Sequence, residues 1–232
     1  MLTLEGVVTG AGAFRLAADL RVEAPGLVAV IGPSGAGKST LLDVIAGFRP
    51  ASEGRILWHG QDLTPLGPGD RPVATLFQDN NLFPHLTLAG NLDLALRPRG
   101  GRLTDEARAR RDAALARMGL DGLGDRKPGA VSGGQQSRAA LARALLQARP
   151  ILLLDEPFAA LGPALRAEML EETRRVVSET GALALLVTHD PADAHRVAPR
   201  TILVSEGRAA APRDTEALFA DPPDALRAYL GD

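Results

Sequence analysis

The sequence contains no cysteine, which excludes disulfides, thiolate metal sites and cysteine nucleophiles together. It lacks any apolar run near the roughly 18 to 20 residues that a membrane-crossing helix needs. The longest useful runs, Ile151 to Leu154 and Ala182 to Val187, are strand-sized. Its first residues, Met1-Leu2-Thr3-Leu4-Glu5, show no basic region followed by an apolar segment and a small-residue cleavage site, so no secretory leader is expected. Positive charge is not in excess either. The formal net charge is -2, which gives no basic footprint for a phosphodiester backbone, and nucleic acid is not expected as a partner. Lys38 and Lys127 are the only lysines, a bias that reads as genome composition. What remains is a chain of 232 residues, 45% of them hydrophobic, enough for one large domain with a core. No internal repeat or low-complexity segment interrupts it.

Residues 32 to 39 read Gly32-Pro33-Ser34-Gly35-Ala36-Gly37-Lys38-Ser39 and follow the apolar run Leu27 to Ile31. A strand ending on G-x-x-x-x-G-K-[ST] delivers backbone N–H groups to a polyphosphate, with a lysine for the outer phosphates and a hydroxyl for Mg²⁺. A helix is predicted from about Ser39 through Thr40 to Ala46, stopping at Gly47, so its positive end adds to the anion site. An ordinary glycine-rich strand-to-helix turn would look the same in isolation. Ile151 to Leu154 then runs into Asp155-Glu156. An apolar strand ending in two carboxylates fits a Mg²⁺-binding acid followed by a glutamate that orients water, although a solvated strand end has the same composition.

The coarse organisation is strand-rich, then helical, then strand-rich again. Strands are predicted at Leu2 to Val8, Phe14 to Val22, Leu27 to Ile31, Gly54 to Trp58 and Val73 to Phe77. Apolar positions at helical spacing cover Thr104 to Met118 and Gln135 to Gln147. Ile151 to Leu154 and Leu183 to Val187 are apolar without alternation, as strands buried on both faces of a parallel sheet are. A helix is expected between them over about Ala164 to Thr180. Thr201 to Ser205 reads as a strand, and Asp214 to Phe219 and Asp224 to Leu230 as terminal helices.

Val131-Ser132-Gly133-Gly134-Gln135, twenty residues before Asp155, resembles the signature sequence of ATP-binding cassette (ABC) proteins. Gln78, after the Val73 to Phe77 strand, is similar to the family's Q-loop glutamine, and His189, after Leu183 to Thr188, to its switch histidine. The order of the five motifs matches the family. The resemblance implies an α/β fold, a phosphate-loop NTPase (RecA-like) core with an antiparallel β-subdomain and an inserted α-helical subdomain. On that basis residues 1–232 form one ABC ATPase domain, with the helical subdomain at about 79–147 and a short helical tail at 208–232.

The resemblance also implies roles. Glu156, His189 and Gln78 are the catalytic group. Gly32, Pro33, Ser34, Gly35, Ala36, Gly37, Lys38, Ser39 and Thr40 bind ATP from one copy, and Ser132, Gly133, Gly134 and Gln135 bind the γ-phosphate held by a second, head-to-tail copy. Ser39, Gln78 and Asp155 serve Mg²⁺. Leu82, Phe83 and Leu86 are the apolar candidates for contact with an integral membrane permease; a periplasmic solute-binding protein acts indirectly, and the chain sits on the cytoplasmic face of the inner membrane. Ile45-Ala46-Gly47-Phe48, the 77–83 segment and Pro157-Phe158 look most like ATP-binding subunits of bacterial thiamine importers. The roughly 25 residues after Gly207 leave no room for the C-terminal regulatory domain that sulfate, molybdate, iron or polyamine importers generally carry. An importer ATPase for another small solute, a soluble non-transport ABC ATPase and a regulatory nucleotide-binding module are the alternatives. Two departures stand out. Ala159-Ala160-Leu161-Gly162 lacks the aspartate that usually closes the D-loop, and among the first strands only Phe14 is available to stack on adenine.

Overall fold

The computed structural model describes residues 1–12, 14–77, 81–97 and 100–230. Gln78, assigned above to catalysis and Mg²⁺, lies outside them.

The chain opens with β1 (Leu2–Ala11), β2 (Phe14–Val22) and β3 (Gly26–Ile31), then α1 (Lys38–Ala46), β4 (Glu53–Trp58), β5 (Gln61–Asp62) and β6 (Val73–Leu76). Helices α2 (Leu88–Leu96), α3 (Asp105–Arg117) and α4 (Gly133–Leu146) follow. The last part alternates: β7 (Ile151–Asp155), α5 (Pro163–Thr180), β8 (Leu183–Val187), α6 (Pro191–Val197), β9 (Arg200–Ser205), β10 (Arg208–Ala209), β11 (Arg213–Asp214), α7 (Thr215–Ala220) and α8 (Asp224–Leu230).

Among the described residues the strands join into one eleven-stranded sheet, ordered β5-β4-β1-β2-β10-β9-β3-β8-β7-β6, with β11 beside β9. Neighbours within β9-β3-β8-β7-β6 run parallel, while β1, β2, β4 and β5 pair antiparallel. Two-residue β10 joins the halves, parallel to β2 and antiparallel to β9.

The absence of alternation in the parallel strands has a direct cause. Leu27, Ala29 and Ile31 of β3 face the layer formed with α2 to α8, while Val28 and Val30 face the layer holding α1 and the antiparallel strands. The same division separates Leu152 and Leu154 from Ile151 and Leu153 in β7. Helix stops and starts follow local chemistry. Gly47 ends α1 at φ 87°, and buried Arg71 donates to the Val44 and Ile45 carbonyls at 2.7 and 2.9 Å, satisfying groups the helix end leaves over. Thr87 and Thr104 cap α2 and α3 through their hydroxyls. No helix among the described residues is long and apolar enough to cross a membrane.

Candidate nucleotide site

Register places the functional segments side by side. Val30 pairs with Val187 and Val187 with Asp155, so the carboxyl ends of β3, β7 and β8 open on one edge of the sheet. In open parallel sheets this is where ligands bind. The phosphate loop leaves β3 there, Asp155-Glu156 leaves β7, and Thr188-His189 leaves β8.

The loop is shaped by contacts that exclude side chains. Gly32 sits at φ +145°, and a Cβ there would lie 1.9 Å from the Val204 carbonyl oxygen of β9. Gly32→Ala is therefore expected to cost about 2–4 kcal/mol of stability from the clash and the backbone conformation together. Thermal melting checks this, with a fall of about 4–16 °C expected for a chain of this size. Helix α1 then begins with Gly37 as its N-cap, no side-chain cap and no acid in its first turn, so nothing within the helix competes for an external anion at its positive end. Buried Lys38 folds back, its Nζ donating to the Gly32 carbonyl at 2.8 Å and the Pro33 carbonyl at 3.0 Å. Burial pushes its pKa down, and Glu156 and Asp155 oppose that. Ser34, Gly35 and Ser39 are exposed, Pro33, Ala36 and Thr40 half-buried.

Asp155 faces Ser39. Burial raises its pKa above the usual carboxylate range; a hydrogen bond with Ser39 lowers it, Glu156 and Asp43 raise it, and Lys38 lowers it. A half-desolvated carboxylate beside a hydroxyl is an oxygen donor set of the kind Mg²⁺ takes, with phosphate and water completing the shell. Among the described residues no cluster of three His, Cys, Asp or Glu could hold a metal by itself.

Glu156 adopts φ 44°, the left-handed region that costs a non-glycine residue about 1–3 kcal/mol unless its surroundings impose it. Its amide donates to the Val187 carbonyl at 3.2 Å and its own carbonyl accepts from Ala159 at 3.3 Å, and these bonds hold the turn. The carboxylate lies 3.2 Å from His189 Nδ1, with the imidazole 51% exposed and the glutamate 24%. Behind His189 is a network absent from the sequence reading. Arg166 Nε donates to Asp193 at 3.0 Å, and the Thr188 hydroxyl donates to Asp193 at 2.6 Å. The sequence signal for it is slight, an arginine one turn into a helix after a glycine.

Ser132, Gly133, Gly134 and Gln135 stand at the start of α4. The Ser132 hydroxyl accepts from the Gln135 amide at 3.3 Å, and the Gln135 side-chain oxygen accepts from the Ser132 amide at 2.9 Å, a reciprocal capping box. The Gln135 side-chain oxygen is thereby engaged within its own helix, while Ser132 and Gly133 remain exposed. Gly162, in place of the expected aspartate, is the N-cap of α5 without a side-chain cap bond. Glycine costs only a few tenths of a kcal/mol relative to a capping side chain there, so α5 forms without it. Phe14 stands beside the phosphate loop, its Cζ 2.9 Å from where a Cβ on Gly37 would be.

Of the three apolar contact candidates, Leu82 is half-buried and packs against the helical core. Leu86 is half-buried and Phe83 is 46% exposed. Phe83 opens on a groove of about 680 Å³ shared with Phe48, Phe77, Leu94 and Arg143. Fully buried Asn91 holds Phe83 in place, accepting from its amide at 2.7 Å and donating to its carbonyl at 3.1 Å.

Comparison with known proteins agrees with this geometry. The family described as ABC transporter matches residues 17–159. The thiamine import ATP-binding protein ThiQ of Cereibacter sphaeroides is 64% identical over 231 residues, covering 100% of both chains. That of Ruegeria sp. is 56% identical over the same full span, and that of Brucella suis 47% identical over 92% of this chain and 89% of its own. Among solved structures, a dimeric ATP-binding cassette in a post-hydrolysis state bound to ADP and Pi superposes with a TM-score of 0.81 at 29% identity, covering 93% of this chain and 99% of that one. With the phosphate loop, paired carboxylates, signature helix and histidine in the places described, the chain belongs to the ABC transporter family.

Proposed function

We propose that this chain is the ATP-hydrolysing subunit of an ABC importer that drives uptake of thiamine or thiamine phosphates. The observation that carries the enzymatic reading is the pair formed by Glu156 and His189, 3.2 Å apart, at the sheet edge where the phosphate loop begins. The cargo follows from full-length likeness to thiamine import ATP-binding proteins.

In this reading the loop from Gly32 to Thr40 binds the phosphates of ATP, and Lys38 exchanges its carbonyl partners for phosphate oxygens. Ser39 and Asp155 hold Mg²⁺, with Gln78 as a further ligand; when bound, the ion screens the charge that builds on the phosphates. Phe14 packs against the adenine. Glu156, its carboxylate 3.2 Å from His189 Nδ1, orients the attacking water. His189 shares that carboxylate and contacts the γ-phosphate. The whole chain acts as one ATPase domain, with the segment at about 79–147 as its helical part and residues 208–232 as a tail.

A second copy completes the site. Exposed Ser132 and Gly133, with Gly134 and Gln135, present a helix N-terminus that suits the partner's γ-phosphate, and the solved relatives are dimers. Moving the pair from about 1:99 to 99:1 closed needs roughly 5.5 kcal/mol of preferential binding, shared by two nucleotides. An integral membrane permease docks at the groove around Phe83, with Leu82 and Leu86 of the same segment as further apolar contacts, on the cytoplasmic face of the inner membrane. A periplasmic solute-binding protein acts through that permease.

The test is uptake by the complex reconstituted with its permease. ATP-dependent accumulation of thiamine is expected, with ATPase activity stimulated by thiamine-loaded binding protein; indifference to the loaded protein defeats the thiamine assignment. Phe83→Asp is expected to weaken binding to the permease by about 30-fold or more, as loss of an aromatic anchor does, measured by co-purification.

A further inference from the structure

The last helix reaches the site from outside the motifs. Tyr229, the chain's sole tyrosine, lies on α8 and its hydroxyl donates a hydrogen bond to the main-chain carbonyl of His189. Leu226, about one turn earlier, is fully buried, and Tyr229 and Leu230 pack against the same core cluster. The bond therefore comes from an anchored helix.

The histidine's backbone is otherwise tied through its neighbours. The Thr188 amide donates to the Val30 carbonyl at 3.2 Å. The Thr188 hydroxyl accepts from the Asp190 amide at 3.1 Å while donating to Asp193. The peptide plane joining 189 to 190 is thus held at both polar atoms, its N–H by Thr188 and its C=O by Tyr229. The half-exposed imidazole projects from the Cα at one corner of that plane, so the plane's orientation sets its direction. A tyrosine phenol, ordinarily titrating at about 10, is a donor at neutral pH, and burial, Glu156 and Asp190 push that of Tyr229 further up.

We infer that Tyr229 is a positioning residue for ATP hydrolysis: by holding the His189 carbonyl it aims the imidazole toward Glu156 and makes the C-terminal helix part of the ATPase site. This rests on the role proposed above for His189. A displacement of α8 would release the histidine without touching nucleotide.

The experiment uses the full-length chain labelled with ¹⁵N-histidine. In Tyr229→Phe, the ring signal that disappears in His189→Ala, one of four histidines, is expected to shift. The kcat for ATP is expected to fall about three- to tenfold with KM unchanged, the worth of one neutral hydrogen bond expressed in turnover. In the His189→Ala background, adding Tyr229→Phe is expected to change kcat no further. An unmoved His189 signal, an unchanged kcat, or an equal loss in both backgrounds overturns the inference. Full turnover in His189→Ala overturns the assignment of His189 and this inference with it. Loss in His189→Ala with full turnover in Tyr229→Phe overturns the inference alone.

Discussion

Glu156→Gln is expected to lower ATP turnover by roughly two to three orders of magnitude while ATP binding and melting temperature stay close to those of the parent chain. The substitution keeps the side chain's size and removes its charge. An amide can still meet His189, 3.2 Å away, but it offers one acceptor where the carboxylate offers two. Water must then be held in line by fewer bonds, and preorganised polar groups at a transition state are commonly worth about 10²–10³ in kcat. Stability is spared because the left-handed backbone at φ 44° is fixed by main-chain bonds to Val187 and Ala159, which the substitution leaves alone. Since hydrolysis is blocked and binding is not, the variant should accumulate as an ATP-bound dimer, visible by size-exclusion chromatography with ATP and lost with ADP. Turnover within threefold of the parent chain would remove Glu156 from its assigned role.

Lys38→Ala should act on the other side of the cycle, raising the Kd for ATP by about 10²-fold or more. Each hydrogen bond from a charged donor contributes about 1.5–3 kcal/mol, and the ammonium is positioned at the mouth of the loop with two carbonyl oxygens as its present partners. Its loss has a second effect through Asp155. Lys38 is among the groups that draw the Asp155 pKa down, against burial, Glu156 and Asp43, which raise it. Without the lysine the raised carboxyl pKa moves up further, and a protonated Asp155 is a poor cation ligand. Mg²⁺-dependent ATP binding in the variant is therefore expected to weaken more steeply as pH falls than in the parent chain. Calorimetric titration with Mg²⁺–ATP at two pH values measures both effects; an unchanged Kd would mean that the loop amides alone hold the phosphates.

Much of this site was legible because its parts depend on local chemistry. The phosphate loop is contiguous, Ser132 and Gln135 form a capping box within four residues, and the carboxylates and the histidine sit at strand ends marked by unbroken apolar runs. The strands and longer helices appeared within a few residues of their predicted limits for the same reason. Features set by the tertiary fold were not legible. Helix α2 carries Gly90 and Asn91 where a helical pattern would want better formers, and forms because Asn91 bonds the 83–87 turn with its side chain. Strands β10 and β11 span two residues each and have no pattern to read. The Arg166–Thr188–Asp193 network and the Tyr229 contact join positions far apart in sequence, and Leu82 could not be told from Phe83 by composition.

The short strand β10 has a mechanical consequence. By bonding to β2 on one side and β9 on the other, it welds the strands that carry Phe14 to those that carry the phosphate loop into one plate. Under the assignments proposed above, a base against Phe14 and phosphates in the loop would both be held by that plate. With β10 in place, no joint separates the strand that carries Phe14 from the strand that feeds the phosphate loop, so a push on one is carried to the other.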